Sequence, residues 1–268
     1  MKEIINSNPD IDIEEDEYIR LLGYPPGYKL EGRSKELADC ARNWYLENGK
    51  PWIYAIPAKT LDTSNGKLLI NNIEFSSKKL LKQLKESDSQ SAMLVAVSAG
   101  AECENKACEL WDEGKPDEYF FLEVFGSAVV EHLITQIGFT FCEQGEKIGF
   151  AVLPHYSPGY PGWDIKDQHK LLDLIKQKNN LPGEISVLDT GMLNPRKSLL
   201  AVFGITNHLD GVKNLHELIP CETCSLYSCE YRRAPFRRYR LQIEDVRRLQ
   251  NSIKEVNQSN NVNIVLQS

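Results

Sequence analysis

The run MLVAV at residues 93–97, closed by SAG at 98–100, is the stretch on which the fold turns. Five consecutive apolar residues are too few for a core helix, and nothing polar alternates with them. They predict a short strand buried on both faces, ending in a small-residue loop. Downstream, YFFLEVFGSAVVEHLITQ at 119–136 is apolar over one broad face and predicts the principal core helix. A buried strand beside a long core helix, without regular βα alternation, makes the chain α+β rather than a doubly wound parallel sheet.

Working outward, Ile13, Tyr18, Leu21 and Leu22 fall at helical spacing ahead of the stop at Gly23, and Ser34–Leu46 is a second amphipathic helix. Trp52–Ile56 and Lys67–Ile70 read as strands, the latter ahead of an Asn71-Asn72 turn. Ser76 or Ser77 can cap a helix over Lys78–Leu84. Gln168–Lys178 is a further helix. Ile185–Leu188 and Leu199–Ile205 read as a strand pair, and Glu244–Val256 as a final charged helix.

The 268 residues are 41% apolar and 26% charged, with a net charge of −7, which speaks against nucleic-acid binding by the protein as a whole. No run of 18–20 apolar residues stands out as a membrane span, and MKEIINSNPDIDIEEDEY lacks the apolar centre of a signal peptide. The expectation is a cytoplasmic protein with reduced cysteines.

Several constellations could carry chemistry. In HYSPGYPGW, residues 155–163, prolines fix the chain and glycines admit close backbone approach, ahead of a helix that Asp164 could cap. The rings of Tyr160 and Trp163 could cover a flat base or a cation, or could plug the core. In GSAVVE, residues 126–131, small residues allow tight packing, and Glu131 is an acid in an otherwise apolar helix. Cys221-x2-Cys224-x4-Cys229 supplies three thiols for zinc or an iron–sulfur cluster, with a fourth ligand open among Cys40, Cys103, Cys108, Cys142 and His216. Arg232, Arg233, Arg237, Arg238, Arg240, Arg247 and Arg248 form a basic run suited to phosphate or an acidic partner, or a solvated face.

Taken in order, IEEDEYIRLLGY (13–24), FSSKKLLKQL (75–84), MLVAVSAGAE (93–102), GSAVVE, SPGYPGWDIKDQ (157–168) and MLNPRKSLLAVFGI (192–205) resemble the reactivation (activation) domain of cobalamin-dependent methionine synthase in its free-standing form. That resemblance implies a twisted, mostly antiparallel sheet with flanking helices. The chain itself reads as a flexible N-terminus over 1–12, a single domain over 13–256 that includes the Cys/Arg-rich segment, and a flexible Asn-rich tail over 257–268. The ligand the resemblance implies is S-adenosylmethionine, held by Glu131, His155, Ser157, Gly159, Tyr160, Phe203 and Gly204. His155 stands where fused domains carry an arginine for the ligand carboxylate; a histidine offers at most one bond there.

The implied role is support of reductive remethylation of cobalamin on a methionine synthase or related corrinoid partner, with a flavodoxin- or ferredoxin-like electron donor. No general base is expected, because aligned positioning is most of what a protein contributes to such a transfer. Two alternatives stand beside it: a corrinoid-protein activator using a cluster on Cys221, Cys224 and Cys229, and a non-catalytic adaptor that docks on a corrinoid protein.

Overall fold

The apolar run at 93–97 is the middle of an eight-residue strand, Ser91–Ser98, whose residues from Ala92 onward are buried. The computed structural model describes residues 1–208 except Pro26 and Asn179, all within one unit, Met1–Leu218. In chain order its strands are β1 (Ile4–Asn6), β2 (Trp52–Pro57), β3 (Leu61–Asp62), β4 (Leu68–Ile70), β5 (Ile73–Phe75), β6 (Ser91–Ser98), β7 (Ala151–Val152), β8 (Ser186–Val187), β9 (Leu193–Asn194) and β10 (Ser198–Thr206). The helices are α1 (Glu15–Leu21), α2 (Gly32–Asn48), α3 (Lys78–Glu86), α4 (Ala101–Asp112), α5 (Pro116–Ile148) and α6 (Asp167–Lys176).

The central sheet runs β1-β2-β6-β10-β7, and every pairing in it is antiparallel. Its two faces bury different cores. Met93, Val95, Val97, Ala201 and Phe203 pack with Tyr18, Tyr45, Phe125 and Phe141 from α1, α2 and α5. Ala92, Leu94, Ala96, Leu200 and Val202 pack with Leu80 and Leu84 of α3, Leu171 and Ile175 of α6, and the Tyr156–Trp163 loop. Burial on both faces removes any need for polar alternation, which is why β6 reads as an unbroken apolar run.

Local chemistry sets several elements. Ser77 Oγ accepts from the Leu80 amide at 3.1 Å and caps α3. Asn71 and Asn72 both take positive φ between β4 and β5, a conformation asparagine tolerates well. In α5, a Cβ on Gly126 would sit 2.7 Å from Cys103 Sγ, so glycine there lets α4 approach α5 closely, as the small residues suggest.

Some expectations are corrected. Residues 4–6, expected in a flexible N-terminus, form β1 and pair with β2. Tyr54 of β2 also donates to Glu3 Oε1 at 2.7 Å, which ties that terminus down. Leu199–Ile205 does not pair with residues 185–188. Ser186–Val187 forms a small ribbon with β9, while β10 joins β6. Helix α5 is long and apolar enough to cross a membrane, contrary to the sequence reading, but half of its most apolar window is buried against the sheet and neighbouring helices. The Glu244–Val256 helix, the tail, Cys221, Cys224, Cys229, His216 and the arginine run lie outside the described residues.

Candidate functional site

The loop singled out in the sequence leaves β7 along the edge of β10. Leu153 N donates to Gly204 O at 2.9 Å, and Tyr156 and Val202 exchange backbone hydrogen bonds at 3.0 and 2.9 Å. Alternation along this extended stretch sends neighbouring rings to opposite faces of the sheet. His155 meets Phe203, with centroids 5.5 Å apart, and its Nε2 lies 3.2 Å from the Tyr160 hydroxyl. Tyr156 stacks parallel to Trp163 on the other face, at 6.1 Å, with Lys79 Nζ 5.1 Å above the Tyr156 ring.

The turn itself is closed by backbone bonds. Tyr160 N donates to Ser157 O, Trp163 N to Tyr160 O, and Gly159 N to Trp163 O, all within 2.9–3.1 Å. Gly159 (φ +91°) and Gly162 (φ +84°) occupy a region that side chains resist. Asp167 then fastens the turn to the core. Its Oδ2 accepts from Trp163 Nε1 at 3.0 Å and from Ser76 N and Oγ at 2.8 Å each, while Lys170 reaches Oδ1 at 2.7 Å. Burial alone would raise this carboxyl, but the bonds from Lys170, Ser76 and Trp163 outweigh it and hold it below its usual range.

The structure places the expected site residues as follows. His155, Tyr160 and Phe203 come together as a ring cluster. Burial pushes the His155 imidazole down to about 4, so it is neutral near pH 7 and offers no charge to a carboxylate. Ser157 is fully buried beside them, and its hydroxyl has no hydrogen-bond partner. Gly159 is exposed, and a Cβ there would find Ile165 only at 3.6 Å, so its requirement is conformational rather than spatial.

Glu131 is on α5, half-buried and one turn beyond Ser127. At Gly204 a Cβ would meet Leu84 at 2.5 Å and Leu153 at 2.8 Å, so it is a close-packing position on the α3 side of the sheet. Trp163 likewise belongs to the core, 3% exposed, and does not offer a face to a ligand. Asp164 accepts from the Lys166 amide at 2.9 Å just ahead of α6, while the helix begins at Asp167.

Among the described residues, no three His, Cys, Asp or Glu side chains gather as metal ligands. Cys103, considered as a fourth ligand, is buried against α5, and burial pushes its thiol up to about 12. It is a core residue. Also among the described residues, β10 pairs with β6 along Ser198–Ile205, but on its other side only with β7 at Ile205–Thr206 and with Tyr156 at Val202. Ser198–Ala201 is therefore a one-sided strand edge, on a strand that α5 packs against.

A solved structure shares this architecture: the MetH reactivation domain bound to AdoHcy, with a TM-score of 0.56, 10% sequence identity, and 79% of each chain covered. The fold is similar to that of the MetH reactivation domain. No family model and no curated protein sequence matches the chain. The likeness supports the curled antiparallel sheet with helices on both faces. Asp167 and Tyr156 were not singled out by the sequence reading. For Asp167 the available signal was its spacing of four from Trp163 at a helix start, which lets carboxylate and indole meet.

Proposed function

We propose that the protein binds S-adenosylmethionine between α5 and the 155–160 loop and presents its methyl group to the cobalamin of a methionine synthase or related corrinoid partner. The observation that carries this reading is a fold similar to a domain solved with AdoHcy, with the half-buried rings of His155 and Tyr160 at the edge of β10 packed over the buried Phe203. Neutral ring faces suit a flat purine, and they also attract a sulfonium cation. Ser157, a buried hydroxyl lacking a partner, supplies an acceptor or donor for the ligand at the same place. Glu131 supplies negative charge for the ammonium end of the ligand.

The partner's corrinoid would supply the nucleophile, after one-electron reduction by an outside flavodoxin- or ferredoxin-like donor, and S-adenosylmethionine the methyl group. This chain contributes rigid positioning, which is most of what an in-line transfer asks of a protein. No side-chain acid or base is needed for it.

Titration calorimetry tests the reading. Saturable heat is expected with both S-adenosylmethionine and AdoHcy, and Gly159→Val should abolish it, because a β-branched residue at positive φ would rebuild the turn. Wild-type protein that fails to saturate at millimolar ligand refutes the proposal. Mixed with a corrinoid methionine synthase and a reductant, the wild-type protein should restore methylcobalamin absorbance only when S-adenosylmethionine is present.

A further inference from the structure

The tripeptide Asn-Gly-Lys occurs twice, at 48–50 and at 65–67. Asparagine followed by glycine is prone to close on itself, because glycine has no Cβ to hinder attack of its amide nitrogen on the preceding side chain. The two copies share this local chemistry, so the fold decides which of them can react.

The first copy ends α2. Asn48 Nδ2 donates to Trp44 O at 2.8 Å, and Gly49 N donates to Tyr45 O at 2.7 Å. A Cβ on Gly49 would lie 2.6 Å from the Tyr45 ring, which is buried and anchored through its hydroxyl to Ala99 O at 2.6 Å. Both reacting groups are therefore held by helical carbonyls beside an immobile ring.

The second copy lies on a short 3-10 turn, Ser64–Gly66, between β3 and β4. Asn65, Gly66 and Lys67 are exposed, and a Cβ on Gly66 would meet nothing within 4 Å. Asn65 takes φ +52° and Gly66 φ +72°, outside the helical region that fixes the first copy. Asn65 Nδ2 reaches the neighbouring Ser64 hydroxyl at a long 3.4 Å, a weak tether. No residue of the turn is buried, so it can open without exposing core.

We propose that Asn65 is a site of spontaneous deamidation, from which the fold protects Asn48. Gly66 N attacks Asn65 Cγ and forms the Cγ–N bond of a five-membered imide. The Cγ–Nδ2 bond breaks, and Nδ2 leaves as ammonia with the proton from Gly66 N. Water then opens the ring at either carbonyl, giving an aspartyl or an isoaspartyl link at position 65. Either product adds one negative charge to a chain of net charge −7, close to Asp62, whose Oδ1 accepts from Ser64 N at 2.7 Å.

Peptide mapping by mass spectrometry tests this on folded protein held for days at mildly alkaline pH and physiological temperature. The tryptic peptide Thr60–Lys67 should lose ammonia, gain water and resolve into two chromatographic species. The peptide bearing Asn48 should lag by about tenfold or more, because the helix end must open before it reacts. In urea-unfolded protein the two sites should react at similar rates. Asn65→Gln should remove the fast conversion and the acidic charge variant that accompanies it on ion exchange. Equal rates at the two sites in the folded protein, a faster Asn48, or an Asn65 that stays intact in the folded protein overturns the proposal.

Discussion

Asp167→Ala isolates what holds the candidate loop in place. The Asp167 side chain is 6% exposed and accepts from four donors. Three of these can turn to water when it is removed, because Ser76 is exposed and Lys170 is 46% exposed. The Trp163 indole N–H cannot, since Trp163 is 3% exposed and clamped against Tyr156 and Phe75. The cost is then one stranded donor, about 1–3 kcal/mol, plus a lost charge-assisted bond, for a total of about 3 kcal/mol. Asp167→Asn keeps an acceptor for the indole and should cost only about 1 kcal/mol. Urea unfolding followed by circular dichroism measures both variants. Because the folded carboxyl is held below its usual value, the stabilisation is complete above about pH 4 and lost as pH falls through the folded value. Asp167→Ala within about 0.5 kcal/mol of wild type at pH 7 would refute the idea that this carboxylate fastens the turn.

Further outcomes are expected. The folded imidazole of His155 titrates near 4, against an ordinary 6.5, so the unfolded chain binds more protons between those values; stability should fall as pH drops from about 6.5 to 4 and then level. His155→Phe should flatten that slope in urea midpoints measured at pH 7 and pH 5, and an unchanged slope counts against it. Gly204→Ala should destabilise by about 1–3 kcal/mol through overpacking on Leu84 and Leu153, as read by thermal melting. Should Cys221, Cys224 and Cys229 hold metal, anaerobically prepared protein will contain near-stoichiometric iron or zinc, and Cys224→Ser will lower it sharply; metal-free protein with three titratable thiols there ends the cluster alternative.

Much of this fold was legible because residues declared their surroundings locally. MLVAV announced a strand buried on both faces, Ser77 a cap, and Asn71-Asn72 a tight turn. What was hidden depended on distant partners. β1 is three residues of a half-exposed edge strand, and nothing within IIN marks its pairing with β2. The partner of β10 is β6, about a hundred residues away, whereas the sequence suggested a nearby strand. Trp163 and Asp167 showed the same limit at the site, since an aromatic on a turn and an acid at a helix start look identical whether they face water, a ligand or each other. His155, Tyr160 and Phe203 were proposed together and do meet, while Gly204 serves packing on the opposite face.

The 153–156 segment passes along the rim of the sheet with His155 anchored in one core and Tyr156 in the other. A rim stitched to both sides of a sheet cannot swing out as a flap, because either direction of movement pulls a ring from its socket. A ligand bound as proposed would meet a preformed surface, with little ordering entropy to overcome. The amides of Tyr156 and Val202 should exchange with solvent only when the whole domain opens. On the proposed function, a docking partner would meet a fixed platform, and any rearrangement needed for transfer would fall to that partner.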